Sequence, residues 1–356
     1  MKLEERIQAF VELGNVLISR NKTNASSYSD SINEALEKLK YFTLNEYIHN
    51  PWFIPEFIEK MIDGIGSMLH KDKLKSWLSD YPNLSQKEKS YRVGVVMAGN
   101  IPLVGFHDFL CVLMAGDVFM GKLSSNDKHL LPAIAQLLCA IEPRFSPYII
   151  FTEEKLEKID KIIATGSNNT SRYFEYYFAK YPSIIRKHCN SVAVLKGNES
   201  EEELRLLVDD ICLYFGLGCR SVSKVYVPQS YNFVPLFKLL DAYKPTYEMH
   251  HSYMNNLEYQ KTVHLINKIP FFDQGILMFK EDTSMASPIS VVHYEYYTDE
   301  SQLLEQLNKQ CDSLQCTVCN TACKADGVGF GKAQFPNLDQ YANKIDTLAF
   351  LLKTEV

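Results

Sequence analysis

Cys219 stands in the segment GLGCRS, residues 216–221, among small residues and beside Arg220. Gly216 and Gly218 permit tight turns and close approach of a ligand. A nucleophilic cysteine needs an accessible thiol and a means of stabilising its thiolate. This context permits both, although a buried structural cysteine in a turn fits the same letters. Asn100, in VVMAGNIPLVG, follows an apolar run and precedes Pro102. Its amide could donate to an oxygen that gains charge during acyl chemistry, or could stabilise a turn between strand and helix. In ATGSNNTSRYF, Gly166 and Ser167 stand where a helix would open. Amides at a helix start can cradle phosphate, yet there is no GxGxxG pattern and a plain serine cap explains the segment equally.

A fourth group is Cys311, Cys316, Cys319 and Cys323, spaced C-x4-C-x2-C-x3-C. Four thiolates this close could hold zinc or an iron–sulfur cluster, and a non-catalytic metal or scaffold protein is one reading of the tail. LQCTVC, however, reads as a strand, on which Cys316 and Cys319 would point to opposite faces. No metal is therefore expected.

The elements around these residues suggest an α/β protein. Residues 1–85 carry helical spacing, with Leu3, Ile7, Phe10, Val11, Leu17 and Ile18 recurring on one face. From Tyr91 strands and helices alternate: YRVGVVMAG, FHDFLCVLMAG, DVFMGKLSS, LLPAIAQLLCAI, YIIF and KIDKIIATG. That alternation implies a parallel, doubly wound sheet, which binds ligands at the carboxyl ends of its strands. A second unit follows, with strands at NSVAVLKG, SKVYVP, ILMF and ISVVHYEYY and a helix over ESEEELRLLVDDICLYF. The expected divisions are a helical region 1–85 packed on a cofactor domain, a dinucleotide-binding domain 86–187, a catalytic domain 188–315, and a C-terminal return or oligomerisation element 316–356.

Composition narrows the function. The formal charge of −6 and the lack of a basic cluster disfavour nucleic acid as a partner. No run of about 18 uncharged apolar residues predicts a membrane span, and MKLEERIQAF, with Glu4 and Glu5, lacks a signal-peptide pattern. Nine cysteines scattered through apolar segments suggest reduced thiols and a cytoplasmic protein.

The order Asn100, Lys122, Gly166–Ser167, Cys219 resembles the aldehyde dehydrogenase superfamily, and more closely its acyl-CoA reductase (LuxC) branch. VVMAGNIPLVGFHDFLCVLMAGD, IIATGSNNTSRYFEYYF, RKHCNSVAVLKG, GLGCRSVSKVYVP and GFGKAQFPNLDQYANKIDTLAFLLK carry the resemblance. It implies an aldehyde-dehydrogenase-like fold, with a doubly wound dinucleotide-binding sheet, a catalytic α/β domain and a helical N-terminal region. It makes Cys219 the nucleophile, Asn100 the oxyanion donor and Lys122 a ribose contact, with Gly166 and Ser167 near the cofactor diphosphate. It also implies a homo-oligomer.

Two departures shape the expected reaction. Oxidative members keep a water-activating Glu upstream of the Cys, but SIIRKHCNSV has no acid. A second Glu is replaced by Ser284 in TSMASPISVV. Reduction of an acyl thioester needs no such base, so the expected substrates are acyl-CoA or acyl carrier protein thioesters, with an acyl-protein synthetase as a possible partner. An aldehyde dehydrogenase or acyl-phosphate reductase on the same scaffold is the alternative. NAD-preferring relatives often carry an acid where this chain has Ser125, which favours NADPH and leaves NADH possible. His188, near the missing acid, could relay a proton to the leaving aldehyde, or could be an ordinary hydrogen-bonded histidine.

Overall fold

The computed structural model describes residues 1–22, 28–320 and 327–353. The chain forms two units, residues 1–187 with 337–356, and residues 188–336.

In the first unit four helices, α1 (Leu3–Ser19), α2 (Asp30–Asn45), α3 (Pro55–Met68) and α4 (Lys71–Ser79), precede a sheet. Pro55 occupies the first turn of α3, where a missing amide costs nothing. The lysine-rich α4, inside the region expected to be helical, buries only Leu74, Trp77 and Leu78. Next come β1 (Arg92–Val96), α5 (Phe106–Met114), β2 (Val118–Lys122), α6 (Leu130–Ile141), β3 (Ile149–Thr152), β4 (Lys161–Thr165), α7 (Asn168–Tyr177) and β5 (Ser183–Arg186). The strand order is β3-β2-β1-β4-β5, and every neighbouring pair is parallel. The winding reverses between β1 and β4, which makes their carboxyl ends the switch point. The helical region shares one core with this sheet. Phe10 of α1 meets Phe109 of α5 at 6.3 Å and Phe145 at 5.6 Å between ring centroids.

Residues from 337 onward return to this unit through buried polar contacts. Lys161 Nζ donates to the carbonyls of Leu351 (3.0 Å) and Lys353 (2.6 Å). Arg186 forms a fork with Asp108 (2.6 and 2.9 Å) and also donates to Thr347 (2.7 Å). Trp77 Nε1 donates to the Tyr341 hydroxyl at 2.8 Å. The 316–356 stretch, read in the sequence as one element, is thus divided between the two units.

The second unit runs β6 (Asn190–Val194), α8 (Glu201–Cys212), β7 (Val222–Pro228), α9 (Val234–Leu239), α10 (Lys244–Glu248), α11 (His251–Ile266), β8 (Phe272–Asp273), β9 (Met278–Glu281), β10 (Val291–Tyr297), α12 (Glu300–Lys309), β11 (Leu314–Val318) and β12 (Gly327–Val328). Its sheet order is β12-β11-β6-β7-β10-β9-β8, parallel throughout except at the β9–β8 edge. A capping box opens α8, with Ser200 Oγ accepting from Glu203 N and the Glu203 carboxylate accepting from Ser200 N.

Seven of the described cysteines are free thiols, as the scattered pattern suggests, and Cys319 departs from it by being disulfide-bonded. Cys319 lies just past β11 at a buried site. The thiol count alone carries no information about which pair is brought together. Cys323 lies outside the described residues. Among the described residues no group of three or more His, Cys, Asp or Glu could hold a metal ion, and no helix is long and apolar enough to cross a membrane.

Candidate active site

Five of the sequence-nominated residues stand at the carboxyl edge of the first unit's sheet. Asn100 lies on the loop after β1 and is exposed. Lys122 ends β2, where it pairs in register with Val96 of β1. The loops after β1 and β2 touch so closely that a Cβ on Gly99 would come within 2.7 Å of Ser124 Cβ. Asp127 joins the same loops: Leu103 N donates to its Oδ2 (2.9 Å), and Asp127 N donates to Ser124 O (3.2 Å). Leu103 sits at φ 56°, a left-handed conformation that costs about 1 kcal/mol for a side-chain-bearing residue. Burial, with Glu46 nearby, pushes the Asp127 carboxyl up to about 7.

Lys122 Nζ donates to Glu154 O at 3.1 Å, so its ammonium is held over the loop after β3. Ser125 is exposed on the turn that follows. The Glu153 carboxylate is taken up by Lys128 at 2.5 Å. Gly166 follows β4, and Ser167 caps α7 by accepting from Thr170 N at 3.2 Å. A Cβ on Gly166 would press to 3.0 Å against Thr170 and Phe174, so a larger residue would have to push the first turn of α7 aside by a few tenths of an ångström.

Cys219 and His188 belong to the second unit, at the opposite end of a sheet. Cys219 precedes β7 in a turn closed by Ser221 N donating to Gly218 O at 3.0 Å. It is partly exposed. The approach to it is strained: Tyr214 (φ 57°), Phe215 (φ 55°) and Gly216 (φ 72°) are consecutively left-handed. Such a run persists only where the surroundings over-determine it, and it marks functional sites often enough to matter. Here the Phe215 ring packs on Tyr247 (4.9 Å), His250 (4.6 Å) and Tyr253 (5.7 Å), and the Tyr247 hydroxyl donates to Cys212 O at 2.6 Å. Ser191 Oγ of β6 donates to the Cys219 carbonyl at 2.9 Å.

A cavity of about 170 Å³ opens at the amino ends of β6, β7 and β10. Phe215, Tyr253 and Leu277 give it apolar walls, and Gly218 and Ser221 place the Cys219 turn in its lining. His188 is at its rim, exposed, with Nε2 at 3.2 Å from Asn190 Oδ1. No acidic residue stands among the described residues that line it. Ser284 lies between β9 and β10, and the nearest acid in sequence, Asp282, is committed to Lys280 (2.6 Å) and Ser284 N (2.8 Å). Those two contacts hold its carboxyl down at about 2.

Sequence reasoning missed the residues that hold these loops: Asp127, Ser191 and Phe215. None carries a local signal, since each acts on a segment distant in the chain. Glu153 and Glu154 were also missed, although their place directly after a strand in a doubly wound sheet could have drawn attention to them.

The family model for acyl-CoA reductase (LuxC) matches residues 54–235, a span that holds all seven nominated residues. No curated protein is significantly similar to the chain. Among solved structures, an aldehyde dehydrogenase from Physcomitrella patens in complex with succinate shares 13% identity, with 94% of this chain and 83% of that one covered and a TM-score of 0.57. An indole-3-acetaldehyde dehydrogenase from P. syringae, in complex with NAD+ and IAA, shares 11% identity over 92% and 74% of the two chains, with a TM-score of 0.59. An NAD+ complex of an aldehyde dehydrogenase from Bacillus cereus shares 14% identity over 90% and 77%, with a TM-score of 0.55. The fold is aldehyde-dehydrogenase-like.

Proposed function

We propose a function from the premise that the chain belongs to the acyl-CoA reductase (LuxC) family and is an oxidoreductase of the acyl and aldehyde class. The proposed reaction is the reduction of an acyl thioester to an aldehyde with NADPH, through a covalent intermediate on Cys219. The observation that carries it is the Cys219 turn itself, a partly exposed thiol on a strained approach beside a cavity without an acid.

The carboxyl edge of the first sheet fits a nicotinamide dinucleotide. The first amides of a helix have no partner within it, and Gly166 leaves the start of α7 uncovered by any side chain of its own. Gly166 and Ser167 would hold the diphosphate, and Lys122 the adenosine ribose. Ser125 adds no negative charge beside a 2′-phosphate, and the Glu153 charge is already matched by Lys128. These features support NADPH over NADH.

In the proposed sequence the Cys219 thiolate attacks the thioester carbonyl. Asn100 is assigned the donor to the oxygen that gains charge. The carbon–sulfur bond to the leaving thiol breaks, and the acyl group stays on Cys219. A bound reduced nicotinamide supplies the hydride that brings this acyl group to the aldehyde oxidation level. Collapse of the resulting thiohemiacetal frees the aldehyde and restores the Cys219 thiolate. His188, exposed at the cavity rim, is assigned the proton relay. Among the described residues no carboxylate lines the cavity to activate a water, which supports thioester reduction over hydrolysis.

The test is NADPH oxidation with a panel of acyl-CoAs, comparing the natural chain with Cys219→Ala. Loss of the nucleophile should lower the rate by at least about a thousandfold while NADPH binding persists. Turnover that survives in Cys219→Ala would remove the nucleophile assignment.

A further inference from the structure

We infer that Asp210 is a positioning residue for the Cys219 turn, acting through the loop 329–336. The inference rests on the reading of Cys219 as nucleophile. Asp210 lies near the end of α8 and is 1% exposed. One carboxylate oxygen accepts from Gly331 N at 2.7 Å, and the other accepts from Ala333 N at 3.0 Å. Gly331 has φ 74°, and a Cβ there would come within 2.7 Å of Leu206 on the same helix. The loop is therefore pressed onto α8 as well as bonded to it.

That clamp reaches the turn through one more residue. Gln334, also buried, donates its Nε2 to Ser221 Oγ at 3.0 Å. Ser221 N in turn closes the turn onto Gly218 O, with Cys219 and Arg220 between them. A second support comes from the neighbouring strands. Cys316 Sγ donates to Ser191 Oγ at 3.1 Å, and Ser191 Oγ donates to the Cys219 carbonyl. Of the two supports, only the first depends on a carboxylate.

A buried carboxylate is costly unless its oxygens are satisfied. Its advantage is geometric: an ionised carboxylate is the one side chain that presents two acceptors and no donor. An asparagine in the same place would turn an NH2 group toward one of the two amides. The charged and titratable groups facing Asp210 are Asp209 on its own helix, Lys332 on the clamped loop and Cys316 on β11. Burial, reinforced by Asp209 and opposed by the two amides and Lys332, pushes the Asp210 carboxyl up to about 7. The clamp is complete above that pH and loses one acceptor below it.

The experiment is hydrogen exchange on the full chain by mass spectrometry, together with steady-state kinetics. In Asp210→Asn, peptides covering 329–336 and 216–223 should both exchange about tenfold faster, the scale of one lost hydrogen bond. With an acyl thioester, kcat should fall about tenfold while KM changes little. Gln334→Leu should show a smaller loss, and the double variant should be no worse than Asp210→Asn alone, because both changes cut the same connection. With exchange expressed as protection relative to an unfolded amide at the same pH, lowering the pH from about 8 to about 6 should reproduce the lost protection in the natural chain and add nothing in the variant. Unchanged exchange over 216–223 in a folded Asp210→Asn overturns the inference, and so do losses that multiply in the double variant. Should Asp210→Asn not fold, Gln334→Leu leaves the clamp intact, and unchanged exchange over 216–223 in that variant overturns the inference equally. Exchange requires no turnover, so a natural chain inactive on every thioester would sink the reading of Cys219 while the exchange result still decides the clamp.

Discussion

In the first unit the nominated residues follow strands: Asn100 comes after β1, Lys122 ends β2, and Gly166–Ser167 come after β4. In the second unit they precede strands: His188 comes before β6 and Cys219 before β7. The two ends of a parallel sheet demand different support. A loop leaving a carboxyl end runs into a helix start, and a cap such as Ser167 with a close-packed glycine such as Gly166 sets its course within a few residues. A turn entering an amino end has no such local device. Around Cys219 the support is long-range: an aromatic cluster from α10 and α11, a serine from β6, and a loop more than a hundred residues downstream held by Asp210. The proposed cofactor edge is thus written in short motifs, whereas the thiol is held by the tertiary structure.

The strongest way to break this contrast is Phe215→Ala. If the aromatic cluster is what holds the left-handed run before Cys219, truncating a fully buried phenylalanine should cost about 3–5 kcal/mol, read as a drop in the denaturant midpoint. Acyl-thioester reduction should fall with it, even at denaturant-free conditions where the chain is still folded. A cost under about 1 kcal/mol would mean that the turn is held by something other than Phe215.

The same contrast explains what could be read from the letters. The strands and helices of residues 91–165 are legible because apolar runs alternate with helical spacing and small-residue turns. The strand at Ser183–Arg186 is not, because four residues ending in a charge carry no strand signal until Arg186 is seen paired with Asp108 in the core. GLGCRS permits a reactive Cys219, since glycine and a neighbouring cation are local features, and the family resemblance singles it out as the candidate nucleophile. Its supports could not, because Asp210 reads as one more acid on an amphipathic helix, and Gln334 and Ser191 as ordinary polar residues. The return of the C-terminal residues to the first unit was equally hidden, since it depends on Lys161 and Arg186 reaching across the chain.

Each unit also buries one carboxyl that keeps its proton to about pH 7, Asp127 in the first and Asp210 in the second. The sign of the effect follows from proton binding. The unfolded chain releases these protons near the ordinary aspartate value of 3.8. Between that pH and about 7 the folded state therefore binds more protons than the unfolded one, so stability falls as pH rises through the window. Each group accounts for roughly 4 kcal/mol of such loss at the upper end. Asp127→Asn keeps an acceptor for Leu103 N and removes the charge. The variant should show about half the natural chain's loss of denaturation free energy between about pH 4 and pH 8, the remainder coming from Asp210. An unchanged slope would show that Asp127 loses its proton at the same pH in the folded chain as in the unfolded one, so that burial does not raise its carboxyl.

The smallest effect is expected at the cofactor edge, where the deciding position is exposed. Ser125→Asp places a carboxylate on the turn after Lys122, beside the ribose that Lys122 is proposed to contact. At the surface two charges a few ångströms apart interact by only about 1–4 kcal/mol, and salt lowers that further. The ratio of kcat/KM for NADPH to that for NADH should therefore fall about tenfold in low salt, and less at high salt. The existing acid nearby sharpens the comparison. The Glu153 charge is matched by Lys128 and leaves a 2′-phosphate unopposed, whereas an aspartate at 125 has no such partner built for it. Freeing Glu153 by Lys128→Met should then shift the ratio in the same direction. If the ratio moves in neither variant, the ribose lies elsewhere on the sheet edge. If NADH is already preferred by the natural chain, the absence of an acid at Ser125 is not what selects the cofactor.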